Sequence, residues 1–186
     1  MKKLMTMASI MALAAFTAVS FTACASTPQE KSASVLIEMQ TLKTKYVRDK
    51  IPAGLGIGVS KDEQIALEKA DQNARVDLAK EIDTQVKALV KNFKEEVGGE
   101  IAEHFQSTSK TVIDTRLNGA TLTDVKVETT EDGQFKVYGV MTLGTDLVSE
   151  YLKSLQDTEA ANEALKNKIR AAADKAYNEL DAATAK

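Results

Sequence analysis

One cysteine, one histidine, two prolines and no tryptophan stand in this chain of 186 residues. A lone thiol excludes an intramolecular disulfide, so in an oxidising compartment the fold must rest on its core. One Cys and one His cannot supply the roughly four ligands of a structural zinc site. Aromatic residues make up 5% of the chain, too few to furnish a pocket with convergent aromatic and polar groups. Basic residues do not dominate either: 24 Lys and Arg face 27 Asp and Glu, which argues against the basic footprint of nucleic-acid binding. Nor is there a long apolar run beyond the first twenty residues, and no repeat of 20 to 50 residues recurs.

What is present begins at the N-terminus. Met1-Lys2-Lys3 precedes an apolar, Ala- and Met-rich run from Leu4 to about Val19, the layout of a secretory signal. The run is short for spanning ~30 Å of hydrocarbon as a permanent transmembrane helix. The single thiol, Cys24, follows in Phe21-Thr22-Ala23-Cys24, which resembles a bacterial lipobox. In that motif the peptide is cut between Ala23 and Cys24 and a lipid is attached to the thiol; Phe21 stands where Leu is usual. An ordinary cleaved signal is the competing reading. Ala25 rather than Asp follows the cysteine, which in lipoproteins of two-membraned bacteria favours the outer membrane over the inner. Cleavage would remove Lys2 and Lys3 and no acid, leaving 22 basic against 27 acidic residues, net −5.

Residues 25–34 (ASTPQEKSAS) are small and polar, the composition of a flexible tether. Val35, Met39, Leu42 and Tyr46 then recur at helical steps, ended by Pro52. In the stretch 54–59 Gly54, Gly56 and Gly58 alternate with Leu55, Ile57 and Val59. That is a strand with one nearly bare face, against which a helix can approach closely. Ser60 and Glu63 have the spacing of a capping box. From there Ala66, Ala70, Ala74, Leu78, Ile82, Val86, Leu89, Phe93 and Val97 line one face of a long helix. Its alanine half suits the glycine face. Gly98-Gly99 breaks it, and Ile101, Phe105, Val112 and Leu117 mark a second helix ended by Asn118-Gly119. Residues 120–143 read as a hairpin turned at Asp132-Gly133, with a register break near Asp124. Val148, Leu152 and Leu155 open a last helical region, with a break expected near Asp157-Thr158. Beyond it Leu165, Ile169, Ala172, Ala176 and Leu180 form a narrower seam. A seam of that width suits contact with another helix, either of a second subunit or at residues 35–47.

The candidate sites are few. The glycine strand before a helix N-terminus invites an anion-binding reading, but it lacks both G-K-[ST] and G-x-G-x-x-G spacing, and tight packing explains it better. His104 lies near Glu100, Glu103, Ser107 and Ser109 without a nucleophile elbow, as on any wet helix face. Glu95, Glu96, Glu100 and Glu103 read the same way rather than as a cation site. Arg75 borders the alanine ridge with Asp71 four residues earlier, a pair worth a few tenths of a kcal/mol; its other expected role is to bind backbone carbonyls at the sheet edge. No catalytic or metal constellation emerges, and no cofactor beyond a covalent lipid on Cys24 is expected.

Gly56-Ile57-Gly58, Ala66, Ala70, Ala74-Arg75, Leu78-Ala79, Ile82 and Val86, followed by Leu117-Asn118-Gly119-Ala120 and the hairpin residues Phe135-Lys136-Val137-Tyr138, are similar to the core signature of the Lpp-twenty family. These are small bacterial outer-membrane lipoproteins; flagellar FlgP and the N-terminal domain of FlgT are alike. The resemblance covers about residues 52–145 and rests on packing motifs, and Lys50-Ile51-Pro52-Ala53 lacks the aromatic residue many relatives carry there. It implies a strand–helix–strand–strand domain and a non-enzymatic role in the envelope, with some relatives assembling around the flagellum.

The expected architecture is therefore α+β: a three-stranded sheet packed by a long helix, with a C-terminal helical arm. The expected division is a signal over 1–23, a lipid-anchored tether over 24–34, the α+β domain over 35–157 and the arm over 158–186. The expected role is structural or assembly work at the outer membrane, facing the periplasm, with envelope proteins or further copies as partners and no nucleic acid. The alternative is a periplasmic module binding a small ligand or cell-wall fragment.

Overall fold

The computed structural model describes residues 28–156 and 163–184. Cys24, Ala23 and the whole of the expected signal lie outside them, as does the expected helix break at Asp157-Thr158. Among the described residues the order is α1 (Pro28–Arg48), β1 (Ala53–Ser60), α2 (Glu63–Glu96), α3 (Gly99–Gly119), β2 (Leu122–Thr129), β3 (Phe135–Thr142), α4 (Leu147–Gln156) and α5 (Glu163–Thr184). The expected α+β architecture is present: one antiparallel sheet in the order β1-β3-β2, packed by the long α2, with a helix at the C-terminus.

The sheet follows from alternation. Opposite Gly54, Gly56 and Gly58 of β1 stand Met141, Gly139 and Val137 of β3, and this face meets α2. Leu55 and Ile57 pair with Val140 and Tyr138 on the other face, where Met39, Leu42 and Tyr46 of α1 close a small core. The sheet is thus sandwiched between two helices. The hairpin has the expected irregularity, a register shift between Leu122 and Asp124. Its turn puts Gly133 at φ 74°, donating to Thr130 O at 3.0 Å, while Thr130 N donates to Gln134 O at 2.8 Å. This is a type I turn closed by a glycine bulge, for which a residue without Cβ is preferred.

The main core lies beyond the sheet. A 34-residue helix is about 50 Å long and an eight-residue strand about 26 Å, so α2 outruns β1. Its later half buries Ile82, Leu89 and Phe93 against α3, α4 and α5. Phe105 packs edge to face on both Phe93 and Tyr151, 4.9 Å and 5.1 Å between ring centres, and Phe93 and Tyr151 lie stacked at 6.5 Å.

Three expectations change. The first concerns α1, which begins at Pro28 rather than Val35, so residues 28–34, assigned to the tether, are helical. Pro is favoured in the first turn of a helix, where its missing N–H has no partner to lose. Next, Asp62 rather than Ser60 caps α2: its Oδ1 accepts the Ile65 N–H at 3.0 Å, while the Ser60 hydroxyl only accepts from Asp62 N at 3.3 Å. Last, the buried face of α2 keeps Leu89 and takes in Gln85 and Asn92, while Val86 and Val97 of the expected stripe pack against the core half-buried. Steps of four overshoot a 3.6-residue turn by ~40° each. The buried face therefore shifts back by steps of three once α2 leaves the sheet for α3 and α5.

The seam of α5 is covered within the chain. Ile169, Ala172, Ala173, Ala176 and Tyr177 are buried in the core that holds Leu89 and Phe93. Asn92 Nδ2 donates to Glu179 Oε2 at 3.4 Å, and Lys175 pairs with Glu96. Within the chain the helix meets α2 rather than principally α1.

Candidate functional site

The residues singled out from the sequence converge on the contact between β1 and α2. A Cβ placed on Gly56 would lie 1.9 Å from Ala70 O and 2.3 Å from Ala74 N. On Gly58 it would meet Ala66 O at 1.9 Å, and on Gly54 Ala74 O at 2.2 Å. Ala66, Ala70 and Ala74 are fully buried. Strand backbone and helix backbone touch directly, which requires glycine on one side and alanine on the other. The space an anion would need at this stretch is filled by α2, and the Asp62 carboxylate already occupies the helix N-terminus.

Arg75 makes both of the contacts expected for it, the Asp71 pair and backbone carbonyls. Its guanidinium donates to Leu117 O, to Ala120 O at 2.9 Å and to Asp71 Oδ2 at 3.2 Å. Leu117 is in the last turn of α3, where carbonyls have no helical partner and the dipole favours a cation. One side chain of α2 thereby fixes where α3 ends and the chain turns into β2. Gly119 is the last residue of α3; its φ is not positive and an added Cβ would meet nothing within 4 Å.

A third feature was not anticipated. Alternate residues of β1 turn their peptide groups outward, and α2 side chains cover them. Asp77 Oδ2 accepts Leu55 N–H at 2.9 Å, Asn73 donates to Ile57 O at 2.7 Å, and Lys69 donates to Val59 O at 2.9 Å. Lys43 of α1 pairs with Asp77 at 2.6 Å. The signal was there to be read: Lys69, Asn73 and Asp77 recur at steps of four, each one residue before or three after the buried alanines. This edge of the sheet is closed to a further strand.

The remaining candidates stay apart. His104 is exposed, with Nδ1 3.2 Å from the Tyr151 hydroxyl, while Ser107 faces solvent and Ser109 is buried. Glu96 is paired with Lys175, and Glu95, Glu100 and Glu103 are exposed. Among the described residues no group of three or more His, Cys, Asp or Glu is placed to hold a metal ion, and no helix is long and apolar enough to cross a membrane. A cleft of about 510 Å³ between α1, α2 and α5 is lined by Lys43, Arg48, Glu81 and Asp181 among others.

Two tyrosines and a glutamate are shifted from their ordinary titration. Burial and then the Asp146 carboxylate, which accepts the Tyr177 hydroxyl at 3.0 Å, push Tyr177 far above its ordinary value. Burial raises Tyr151. Hydrogen bonds from Lys153 and then Thr145 hold Glu150 below the usual carboxylate range. Tyr177 lines a pocket of about 270 Å³ together with Lys50, Asp146, Ser149 and Arg170 among others.

No protein-family model, curated protein or solved structure matches the chain.

Proposed function

We propose that this chain is a non-enzymatic lipoprotein of the outer membrane, anchored through lipid on Cys24, facing the periplasm, with a structural or assembly role in the cell envelope. The observation that carries the reading is Phe21-Thr22-Ala23-Cys24 behind Lys2-Lys3 and the apolar run from Leu4. The start of α1 sharpens it. Pro28 is four residues after Cys24, so the first helix begins at most about 14 Å from the lipidated residue. The domain is then held at the membrane surface rather than on a long leash. The side chains that sequence and structure single out serve packing, capping and edge protection, which is what an assembly component needs; the flagellar base, suggested by the resemblance to the Lpp-twenty family, is one machine that would use it.

Cys24→Ser tests the anchor. The variant is expected to accumulate as unprocessed or mis-sorted precursor without bound lipid, scored by metabolic lipid labelling and membrane fractionation. Fractionation with the outer membrane as efficient as wild type would refute it.

A further inference from the structure

The two edges of the sheet differ. β1 is closed by Asp77, Asn73 and Lys69, whereas among the described residues no further strand lies beyond β2. Thr130 N donates to Gln134 O, which makes these two a hydrogen-bonded pair. By alternation Glu128 with Lys136 and Lys126 with Tyr138 are the next such pairs. Val125, Val127 and Thr129 therefore turn their N–H and C=O groups toward the open edge. Helix α2 lies over β1 and β3 and leaves β2 bare, so Val125 and Val127 are 44% and 45% exposed. With Leu67, Val137 and Asp62-Glu63-Gln64 they line a groove of about 480 Å³.

The other face of β2 carries Asp124, Lys126 and Glu128, an acid–base–acid sequence in which Lys126 is already paired with the exposed Glu38 of α1. Such a strand is complementary to itself when two copies run antiparallel. Pairing about Lys126 would set like charges opposite; pairing about Val127 sets each Lys126 against Glu128 of the other copy, and pairing about Val125 sets it against Asp124. The state of the two acids decides between these last two. Asp124 sits at the register shift and accepts the Tyr46 hydroxyl at 3.2 Å. Glu128 has one carboxylate oxygen shielded from water with no hydrogen-bond donor, the one carboxylate in that state among the described residues. A shielded carboxylate oxygen without a donor is unfavourable, and a cation brought beside it relieves that cost.

We propose that β2 is the edge on which two copies of this chain join, antiparallel across a two-fold axis at Val127. Val127 meets its counterpart, Val125 meets Thr129 of the second copy, and each Lys126, leaving or sharing its solvent-exposed pair with Glu38, reaches Glu128 of the other molecule, continuing the sheet from one molecule into the next. A two-fold contact uses the same patch on both molecules, so one self-complementary strand suffices. The proposal deepens the assembly reading and rests on it, but it is tested separately: association of purified protein does not depend on where Cys24→Ser fractionates.

The measurement is sedimentation of the full lipoprotein at micromolar concentration in density-matched detergent. Wild type is expected at twice the protein mass of the monomer. Lys126→Glu places four acids at the joint and is expected to halve the mass; Glu128→Lys is expected to do the same by opposing lysines. The double exchange Lys126→Glu with Glu128→Lys restores complementarity and should restore the dimer. Circular dichroism identical to wild type establishes that each variant is folded, and Val127→Asn, which touches no charge, provides a second disruption. If Lys126 serves only to keep the edge solitary, or if the edge takes a strand of a different protein, wild type sediments as a monomer and the proposal is overturned. A Lys126→Glu variant that keeps the wild-type mass overturns it as well. Rescue of Lys126→Glu by Asp124→Lys and not by Glu128→Lys overturns the register.

Discussion

A methyl group on Gly56 would have to occupy space held by Ala70 O and Ala74 N. Those atoms belong to the hydrogen-bond ladder of α2 and cannot swing aside as a side chain would. Gly56→Ala is therefore expected to destabilise by roughly 3 kcal/mol or more, as overpacking against rigid backbone does. Gly119→Ala supplies the contrast. At a helical position with open space around the new Cβ, the substitution is expected to leave stability unchanged or raise it by up to about 1 kcal/mol. Urea midpoints of the two variants measure both. Equal, small shifts would show that the helix can lift off the strand. Lys50 is a different kind of residue-scale feature: it adopts φ 64° at the end of α1, where Ile51 N reaches back to Tyr46 O and Lys50 N to Val47 O. Glycine is the usual occupant of such a helix ending. Here the side chain makes its own contacts, an ion pair of 2.6 Å with Asp174 and a place 5.5 Å from the Tyr177 ring centre.

Helix α2 organises β1, β3, α3 and α5. It rests on β1 and β3 with its alanines, closes the free edge of β1 with Lys69, Asn73 and Asp77, holds the end of α3 through Arg75 and receives α3 and α5 on its later half. Its start is therefore a sensitive point. Asp62→Ala removes the acceptor for Ile65 N–H and is expected to cost about 1 kcal/mol. Ser60→Ala, which lacks that contact, should stay within about 0.5 kcal/mol of wild type. Thermal unfolding of both variants tests this; a larger loss for Ser60→Ala would reinstate the capping box. The cap was only half legible because Ser60 and Glu63 have the spacing of a capping box and Asp62 stands between them. Which oxygen reaches the first free N–H depends on where the strand releases the chain, and β1 runs on to Ser60.

At the scale of the molecule, α5 decides whether the domain is closed. Ile169, Ala172, Ala173, Ala176 and Tyr177 complete the core around Leu89 and Phe93. Truncating one buried Ile to Ala costs about 2–5 kcal/mol, against a total stability of roughly 5–15 kcal/mol for a domain. A chain ended before Glu163 is therefore expected to lose its cooperative thermal transition and its near-UV signal from Tyr151. Retention of both would show that α5 is an appendage after all.

Much of this was legible without coordinates. The alternation of Gly54, Gly56 and Gly58, the alanine ridge of α2, the break at Gly98-Gly99 and the turn at Asp132-Gly133 are local rules of period and backbone freedom, and they read directly from residue order. The register shift at Asp124 was legible for the same reason. Three things were decided by tertiary structure alone: that α5 lies on α2, that β3 takes the centre of the sheet, and which of the two strand edges the row Lys69, Asn73 and Asp77, itself visible in the sequence, comes to close. Each depends on which surfaces meet across long stretches of chain. A thin apolar seam such as Ile169 to Leu180 fits several partners about equally well, and only the packed molecule selects among them.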